Sequence, residues 1–263
     1  MDGAAFQSLV WERGRELYRD MPWRDEPTFY HVLVSEVMLQ QTQVSRVLVK
    51  YEAFMQAFPT IESLAAASLA DVLRIWSGLG YNRRAKYLHE AAKQISLFSV
   101  KDTLNALMLL PGVGRHTAGA LMNYVYEVPT AFIETNIRTV YFNHFFHDRT
   151  DVTDRELLEL VEATIDREHP REWFWALMDY GASLKASGAG RLDQSRHYHR
   201  QSPLAGSIRE VRGRIIAVLK DGPLELAQLK SIVSADNRFE SALQGLERDG
   251  LVQRSGARID LTK

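Results

Sequence analysis

The sequence predicts a mainly α-helical protein, and three observations carry that expectation. Apolar residues recur at helical spacing along most of the 263 residues. Breaker signals fall between the stripes, at Phe58-Pro59, Gly78, Gly80, Pro111-Gly112 and His169-Pro170. Strand-like alternation is nearly absent before residue 250. With 46% hydrophobic and 25% charged residues the composition is globular, which excludes wholesale disorder and collagen-like repeats. Zero cysteines exclude disulfides, thiolate metal sites and thiolate-ligated iron–sulfur clusters. No apolar run approaches the ~20 residues of a bilayer span. Met1 to Val10 lacks a signal-peptide pattern, so the chain reads as soluble and cytoplasmic; a monomer is expected.

Helical stripes are expected over Val32–Phe54, Leu64–Trp76, Ala85–Leu97, Thr117–Tyr126, Ile137–Phe146, Leu157–Ile165 and Trp173–Leu184. Ser, Gly, Ala and Arg then dominate Ala186 to Gly206, which reads as a linker or extended loop. Beyond it, Ile208–Leu219, Pro223–Val233 and Asn237–Asp249 read as three helices. Leu251–Arg254 and Arg258–Leu261 read as a hairpin around Ser255-Gly256, completing the order of a winged helix-turn-helix. The expected division is a domain over residues 1–200 and a small winged-helix-like domain over 205–263. The first should comprise two helical lobes, roughly 28–130 and 1–27 plus 131–200.

Charge is segregated, although Lys+Arg 32 against Asp+Glu 33 leaves a net charge of −1. Thr150 to Pro170 carries seven acids against Arg155 and Arg167, a face expected to avoid phosphates. Ala186 to Arg214 carries six arginines, including Arg191, Arg196 and Arg200, against Asp193 and Glu210. Arg83, Arg84 and Lys86 form a second basic cluster beside Tyr81 and Tyr87. Either run reads equally as a phosphate-binding surface or as a solvated face. His144 with His147, and His197 with His199, suit a metal site poorly, because no carboxylate completes either set.

The segment Leu110-Pro-Gly-Val-Gly-Arg-His-Thr-Ala118 ends one helix at Leu110 and starts another at once. Gly112 and Gly114 permit a tight turn and a close backbone approach, and the N–H groups of the next helix point outward. Gly112, Val113, Gly114, Arg115 and Thr117 thus suit a helix-hairpin-helix that grips a DNA backbone; an ordinary helix–helix turn is the bland alternative.

Ser35-Glu-Val-Met-Leu-Gln-Gln-Thr-Gln43 is preceded by Pro22-Trp-Arg24 and followed, in order, by Gly78-Leu-Gly-Tyr81 and Leu110-Pro-Gly-Val-Gly114. From about residue 20 to about 185 the chain resembles the adenine DNA glycosylases of the MutY type. The resemblance implies the helix-hairpin-helix glycosylase fold, with two all-helical lobes and double-stranded DNA, bearing a lesion or mismatch, in the cleft between them. It also implies extrusion of a nucleotide and hydrolysis of its N-glycosidic bond, with adenine opposite 8-oxoguanine as the substrate.

Glu36 lies in an otherwise apolar helix interior, Val34 to Leu39, where burial favours the neutral carboxyl. A carboxylic acid suits a purine leaving group, which departs only after a ring nitrogen is protonated. Without the motif, a buried glutamate paired with an arginine fits as well; the resemblance selects the acid. Glu134, in Phe132-Ile-Glu-Thr-Asn136, stands where the family carries an aspartate that stabilises the positive charge developing on the sugar. The extra methylene changes its reach by about 1.5 Å. The alternative is a helix-start acid favoured by the dipole, with Thr135 and Asn136 as caps. Asn136 matches a family asparagine near the catalytic carboxylate.

His116 takes the place of the lysine of strand-cleaving relatives, and Arg138 that of another lysine in MutY enzymes. Neither forms a Schiff base at neutral pH, so excision without strand cleavage is expected. His116 could hydrogen-bond a carboxylate or the flipped nucleotide, or serve structure alone. Gln41 best matches the family's intercalating glutamine, and Asn82, followed by Arg83, replaces a tyrosine that wedges beside 8-oxoguanine. The four-cysteine loop expected after Met178-Asp-Tyr-Gly-Ala182 is absent, with Lys185, Leu192, Ser195 and Gln201 near those places. No iron–sulfur cluster is therefore expected; a monovalent cation at the hairpin is the one cofactor allowed. Arg191, Arg196 and Arg200 would contact DNA in the loop's stead, and the winged helix stands where the family's large lesion-reading domain would be. Two alternatives stay open: the same fold acting on uracil, mismatched thymine, hypoxanthine or an alkylated purine, and a non-enzymatic DNA-binding regulator. Possession of both Glu36 and Glu134 argues against the regulator.

Overall fold

The computed structural model describes residues 2–98, 101–147, 149–191, 195–196 and 202–263. Their helices are α1 (Gly3–Glu16), α2 (Pro22–Asp25), α3 (Phe29–Leu39), α4 (Val44–Ala57), α5 (Ile61–Ala66), α6 (Leu69–Trp76) and α7 (Arg83–Leu97). There follow α8 (Leu104–Leu107), α9 (Arg115–Tyr124), α10 (Thr135–Phe145), α11 (Asp154–Thr164) and α12 (Pro170–Ala186). The chain ends with α13 (Ile208–Leu219), β1 (Leu224–Glu225), α14 (Leu226–Ile232), α15 (Phe239–Arg248), β2 (Val252–Ser255) and β3 (Arg258–Leu261). The mainly helical class is as the periodicity predicts.

Two expected stripes are each broken. Val32–Phe54 divides into α3 and α4 because the chain turns at Gln41, whose φ of 53° no helix accommodates. Leu64–Trp76 divides at Ala67-Ser68, where the Ser68 side chain accepts from the Asp71 amide and starts a new helix. The sequence reading overlooked α1, whose buried positions are only Phe6, Val10 and Gly14, and β1, a strand of two residues. The chain forms two compact units.

The first unit comprises Met1–Leu33, Lys101–Leu109 and Val113–Arg200. Its core is aromatic: Phe6 lies 4.9 Å from Tyr141 and 6.2 Å from Trp173 between ring centroids. Gly14 lets α1 come so near α12 that a Cβ there would sit 2.4 Å from that of Ala176. Arg24, from the Pro22-Trp-Arg24 run, is buried and pairs with buried Asp179 at 2.7 Å, while Arg19 reaches the same carboxylate at 2.7 Å. Two motif segments distant in sequence are thereby joined by charge, and breaking such a buried pair costs about 3–5 kcal/mol.

The second unit comprises Val34–Val100, Leu110–Gly112 and Gln201–Lys263. Phe54 and Trp76 pack edge to face at 6.1 Å among the helices α4 to α7. In the C-terminal segment, Val211, Ile215 and Leu243 are buried together with Ile259 of the three-stranded antiparallel sheet, whose order is β1-β3-β2. Leu224 pairs with Ile259 and Val252 with Leu261. This segment is fastened to the helices: Arg74 donates to the Lys220 carbonyl at 3.0 Å and Lys86 to the Asp249 carbonyl at 2.8 Å.

Candidate active site and DNA interface

The hairpin forms, with one correction: the helix before it ends at Leu107, not Leu110. Gly112 adopts φ 75°, and a Cβ there would come within 2.8 Å of the Tyr87 Cβ, so only glycine fits. Gly114 is the N-cap of α9 and has no side chain to offer the first-turn N–H groups. Those donors, with exposed Arg115 beside them, are suited to an anion. Val113 and Thr117 are buried, so they contribute backbone rather than side chain to such a surface.

Glu36 sits two-thirds of the way along α3, flanked by fully buried Ser35 and Val37, and is itself only 6% exposed. A carboxyl in that position is withdrawn from water by the apolar residues that make the helix.

Glu134 is placed differently. It is the N-cap of α10, half-buried, and its carboxylate accepts from the Asn136 amide at 2.6 Å. The cap is therefore Glu134 itself, and not Thr135 or Asn136. Asn136 is held by close packing, since a Cβ on Gly181 of α12 would meet its carbonyl oxygen at 2.3 Å. Its Oδ1 is buried without a hydrogen-bond partner, and its Nδ2 faces the Met178 sulfur at 3.9 Å. His116 of α9 stacks on Phe132 at 5.5 Å, and burial pushes its pKa down while the Glu134 charge pulls it up. Burial likewise lowers the Lys185 amine against the same carboxylate, with Arg19 lowering it further. One negative group thus has two basic groups in its field, of which the sequence singled out His116 and missed the relation of Lys185.

The Arg83-Arg84-Lys86 cluster is corrected by the structure. Arg84 is not a surface cation: it is buried, and its guanidinium donates to the carbonyls of Val37, Met38, Gln40, Leu79 and Gly80 and to the Thr42 hydroxyl. It closes the C-terminus of α3 and ties that end to the loop Gly78–Tyr81. Burial lowers its pKa to about 10. Lys86 is committed to the Asp249 carbonyl, whereas Arg83 is exposed, bonded to the Tyr87 hydroxyl. Asn82 is the N-cap of α7 and makes no cap bond. Gln41 is exposed on the loop that Arg84 secures.

Among the arginines expected to meet DNA, Arg191 donates to the His147 carbonyl at 2.9 Å and Arg196 lies 3.8 Å from Asp151. Arg200, with His197 and His199, lies outside the described residues. Arg138 donates to the Ser195 hydroxyl at 3.0 Å and pairs with Asp154 at 2.7 Å. A thiolate-ligated cluster does not fit this region, because the chain has no cysteine; Arg138 tethers the segment instead. His144 is bonded to the Tyr180 hydroxyl at 2.8 Å. No group of three or more His, Asp or Glu suited to a metal occurs among the described residues.

The family model described as HhH-GPD superfamily base excision DNA repair protein matches residues 34–163. The adenine DNA glycosylase of Mycobacterium tuberculosis (strain ATCC 25618 / H37Rv) is 35% identical over 265 residues, covering 90% of this chain and 87% of the relative. The chain belongs to the HhH-GPD superfamily of base excision DNA repair proteins. An HhH-GPD relative in Mycolicibacterium smegmatis, also named adenine DNA glycosylase, is 34% identical over 90% of this chain and 89% of its own length. The human adenine DNA glycosylase is 36% identical over 183 residues, 63% of this chain and 33% of the relative. Among solved structures, a thermostable thymine-DNA glycosylase superposes with a TM-score of 0.63 at 24% identity, covering 72% of this chain and 90% of that one. A trapped endonuclease III–DNA covalent intermediate gives 0.54 at 18% identity, covering 77% and 91%. These likenesses show the HhH-GPD fold that the sequence motifs implied. Among the described residues, no helix is long and apolar enough to cross a membrane.

Proposed function

We propose that the chain is a DNA glycosylase that hydrolyses the N-glycosidic bond of adenine in a mismatched or lesion-bearing duplex and leaves the DNA strand intact. The observation that carries this reading is Glu36: a carboxyl 6% exposed, inside the Ser35–Gln43 run, in the segment the superfamily model matches. The names of the mycobacterial and human relatives support adenine as the base. Glu36 is the general acid that protonates the departing purine, and loss of such an acid typically costs about 10²–10⁴-fold. Glu134 is the charge that stabilises the oxocarbenium-like sugar. Asn136, with a buried carbonyl oxygen that has no partner, supports that carboxylate's surroundings, and His116, stacked on Phe132, lies within its field. The N–H groups of α9 with Arg115, and the segment of Arg191, Arg196 and Arg200, hold the backbone; Gln41, Asn82 and Arg83 address the duplex at the lesion.

The test is a panel of duplexes, each with one mismatch or lesion, incubated with the monomeric protein and scored for abasic sites with and without alkali. Adenine-containing mismatches should give strand breaks only after alkali. Release of a pyrimidine in preference to adenine would overturn the substrate. Breaks without alkali would overturn the strand-sparing reading and direct attention to Lys185, the amine that Glu134 influences.

A further inference from the structure

Helix α7 runs 15 residues from Arg83 to Leu97, a length of about 22 Å. Its first turns border the hairpin, because Tyr87 packs against Gly112. Its far end carries Gln94-Ile-Ser-Leu-Phe98, which the candidate site does not use. Leu97 is 73% and Phe98 70% exposed; Gln94 and Ser96 are exposed and Ile95 is half-buried. Scattered exposed apolar residues are ordinary, whereas adjacent leucine and phenylalanine side chains this open form a patch suited to a partner. The buried residues of α7 end at Ala92, so its last turn adds none to the core. Phe98 is already extended, at φ −134° and ψ 135°, and its N–H donates to the Gln94 carbonyl at 2.9 Å. A final turn with so little burial opens at low cost and frees a short peptide. From Ala91 to Lys101 the sequence has two lysines, Lys93 and Lys101, and no acid.

We propose that Gln94–Phe98 docks the chain on a sliding clamp, a protein ring that encircles the duplex. The recognising chemistry is a groove with two adjoining apolar pockets for Leu97 and Phe98. A polar shoulder takes the Gln94 carboxamide, and an acidic rim faces Lys93. Side-chain order, backbone and place select that occupant together. Carboxamide, aliphatic, small polar, Leu and Phe in succession make a compact anchor peptide, and its extended end can pair with a groove. The peptide also lies at the end of α7 away from the hairpin, so one partner and the DNA can be held at once. A ring threaded on the same duplex meets that requirement. The inference goes beyond the glycosylase reading and asks only that the chain work on DNA.

The experiment titrates the labelled full chain with purified bacterial sliding clamp and reads fluorescence anisotropy. The wild type should bind, and a synthetic peptide of residues Lys93 to Phe98 should compete. Leu97→Ala and Phe98→Ala should each weaken binding about tenfold or more. Both side chains are exposed, so thermal stability and base excision on a short free duplex should not change. Val49→Ala, at a 72% exposed position of α4, should bind the clamp as the wild type does. Four results would overturn the proposal: no binding, binding retained by the doubly substituted Leu97→Ala, Phe98→Ala chain, equal loss in Val49→Ala, or impaired excision on the free duplex in either anchor variant. Sedimentation of the protein alone covers the remaining occupant, since self-association abolished by Phe98→Ala would assign the patch to a second copy instead. Clamp binding without base release would leave the docking peptide standing and remove the glycosylase; excision without clamp binding would do the reverse.

Discussion

Glu36 and Glu134 are the same side chain in opposite settings. Glu36 lies inside a helix whose neighbours are all buried, and nothing about helix geometry requires an acid there. Glu134 lies at a helix start, where the dipole and the Asn136 amide favour a carboxylate whatever its chemistry. The first is a polar group withdrawn from water inside an apolar helix; the second is a helix cap, a position that stabilises the helix in itself. On the proposed reading, an acid and an electrostatic partner are distinguished by where the helix puts them, without any difference in residue type.

The largest test of that contrast is Glu36→Gln, which keeps shape but carries no carboxylic proton. Single-turnover adenine excision should fall by at least about 10²–10⁴-fold, while lesion DNA is still bound. Near-normal excision would end the acid assignment. Glu134→Gln should be comparably damaging to excision, because the charge is lost although the amide oxygen still caps α10. Glu134→Asp should retain measurable excision if charge matters more than reach, and Glu134→Ala should also destabilise the fold by about 1 kcal/mol. Equal thermal stability of Glu134→Ala and Glu134→Gln would remove the capping half of the comparison.

Binding should separate cleanly from chemistry. Neutralising Arg191, Arg196 and Arg200 together should flatten the log K against log salt slope by about 2–3 units, uniformly across sequences. An unchanged slope would move the phosphate contacts elsewhere, to Arg115 and the hairpin first.

The smallest effect is a titration. Burial depresses the folded-state pKa of His116 below its ordinary 6.5, so its contribution to stability is present above about 6.5 and is lost as the pH falls below it. Glu134 opposes the depression, so Glu134→Gln should move the His116 imidazole further down, as followed by NMR. No movement would mean that the two side chains are electrostatically independent. Denaturation of His116→Phe should show a flatter loss of stability below pH 6.5, with buried His89 and half-buried His144, also depressed, accounting for the remainder.

Much of the candidate site could be read along the chain because its signals are local. The hairpin glycines, the acid in an apolar run and the Ser35–Gln43 segment each lie within a few residues, and turn chemistry and helical period act at that range. Arg84 was misread for the opposite reason. Its sequence neighbours Arg83 and Lys86 suggest a surface, yet its partners Val37 and Met38 lie 47 and 46 residues away. Arg24 was quoted as part of a motif, but only its partner Asp179, 155 residues on, reveals that its work is structural.

The sequence by itself determined the helical class, the tight turn at Gly112, the absence of thiolate ligands and the acid inside α3, since each follows from composition or from neighbours within one or two turns. Tertiary structure alone decided which charges are buried, that residues 201–263 pack with residues 34–100, and that Arg209 reaches Tyr81 across 128 residues of chain. Whether a guanidinium is solvated by water, by carbonyls or by an aromatic ring depends on groups that only folding brings together. Its role cannot be read from the residues beside it.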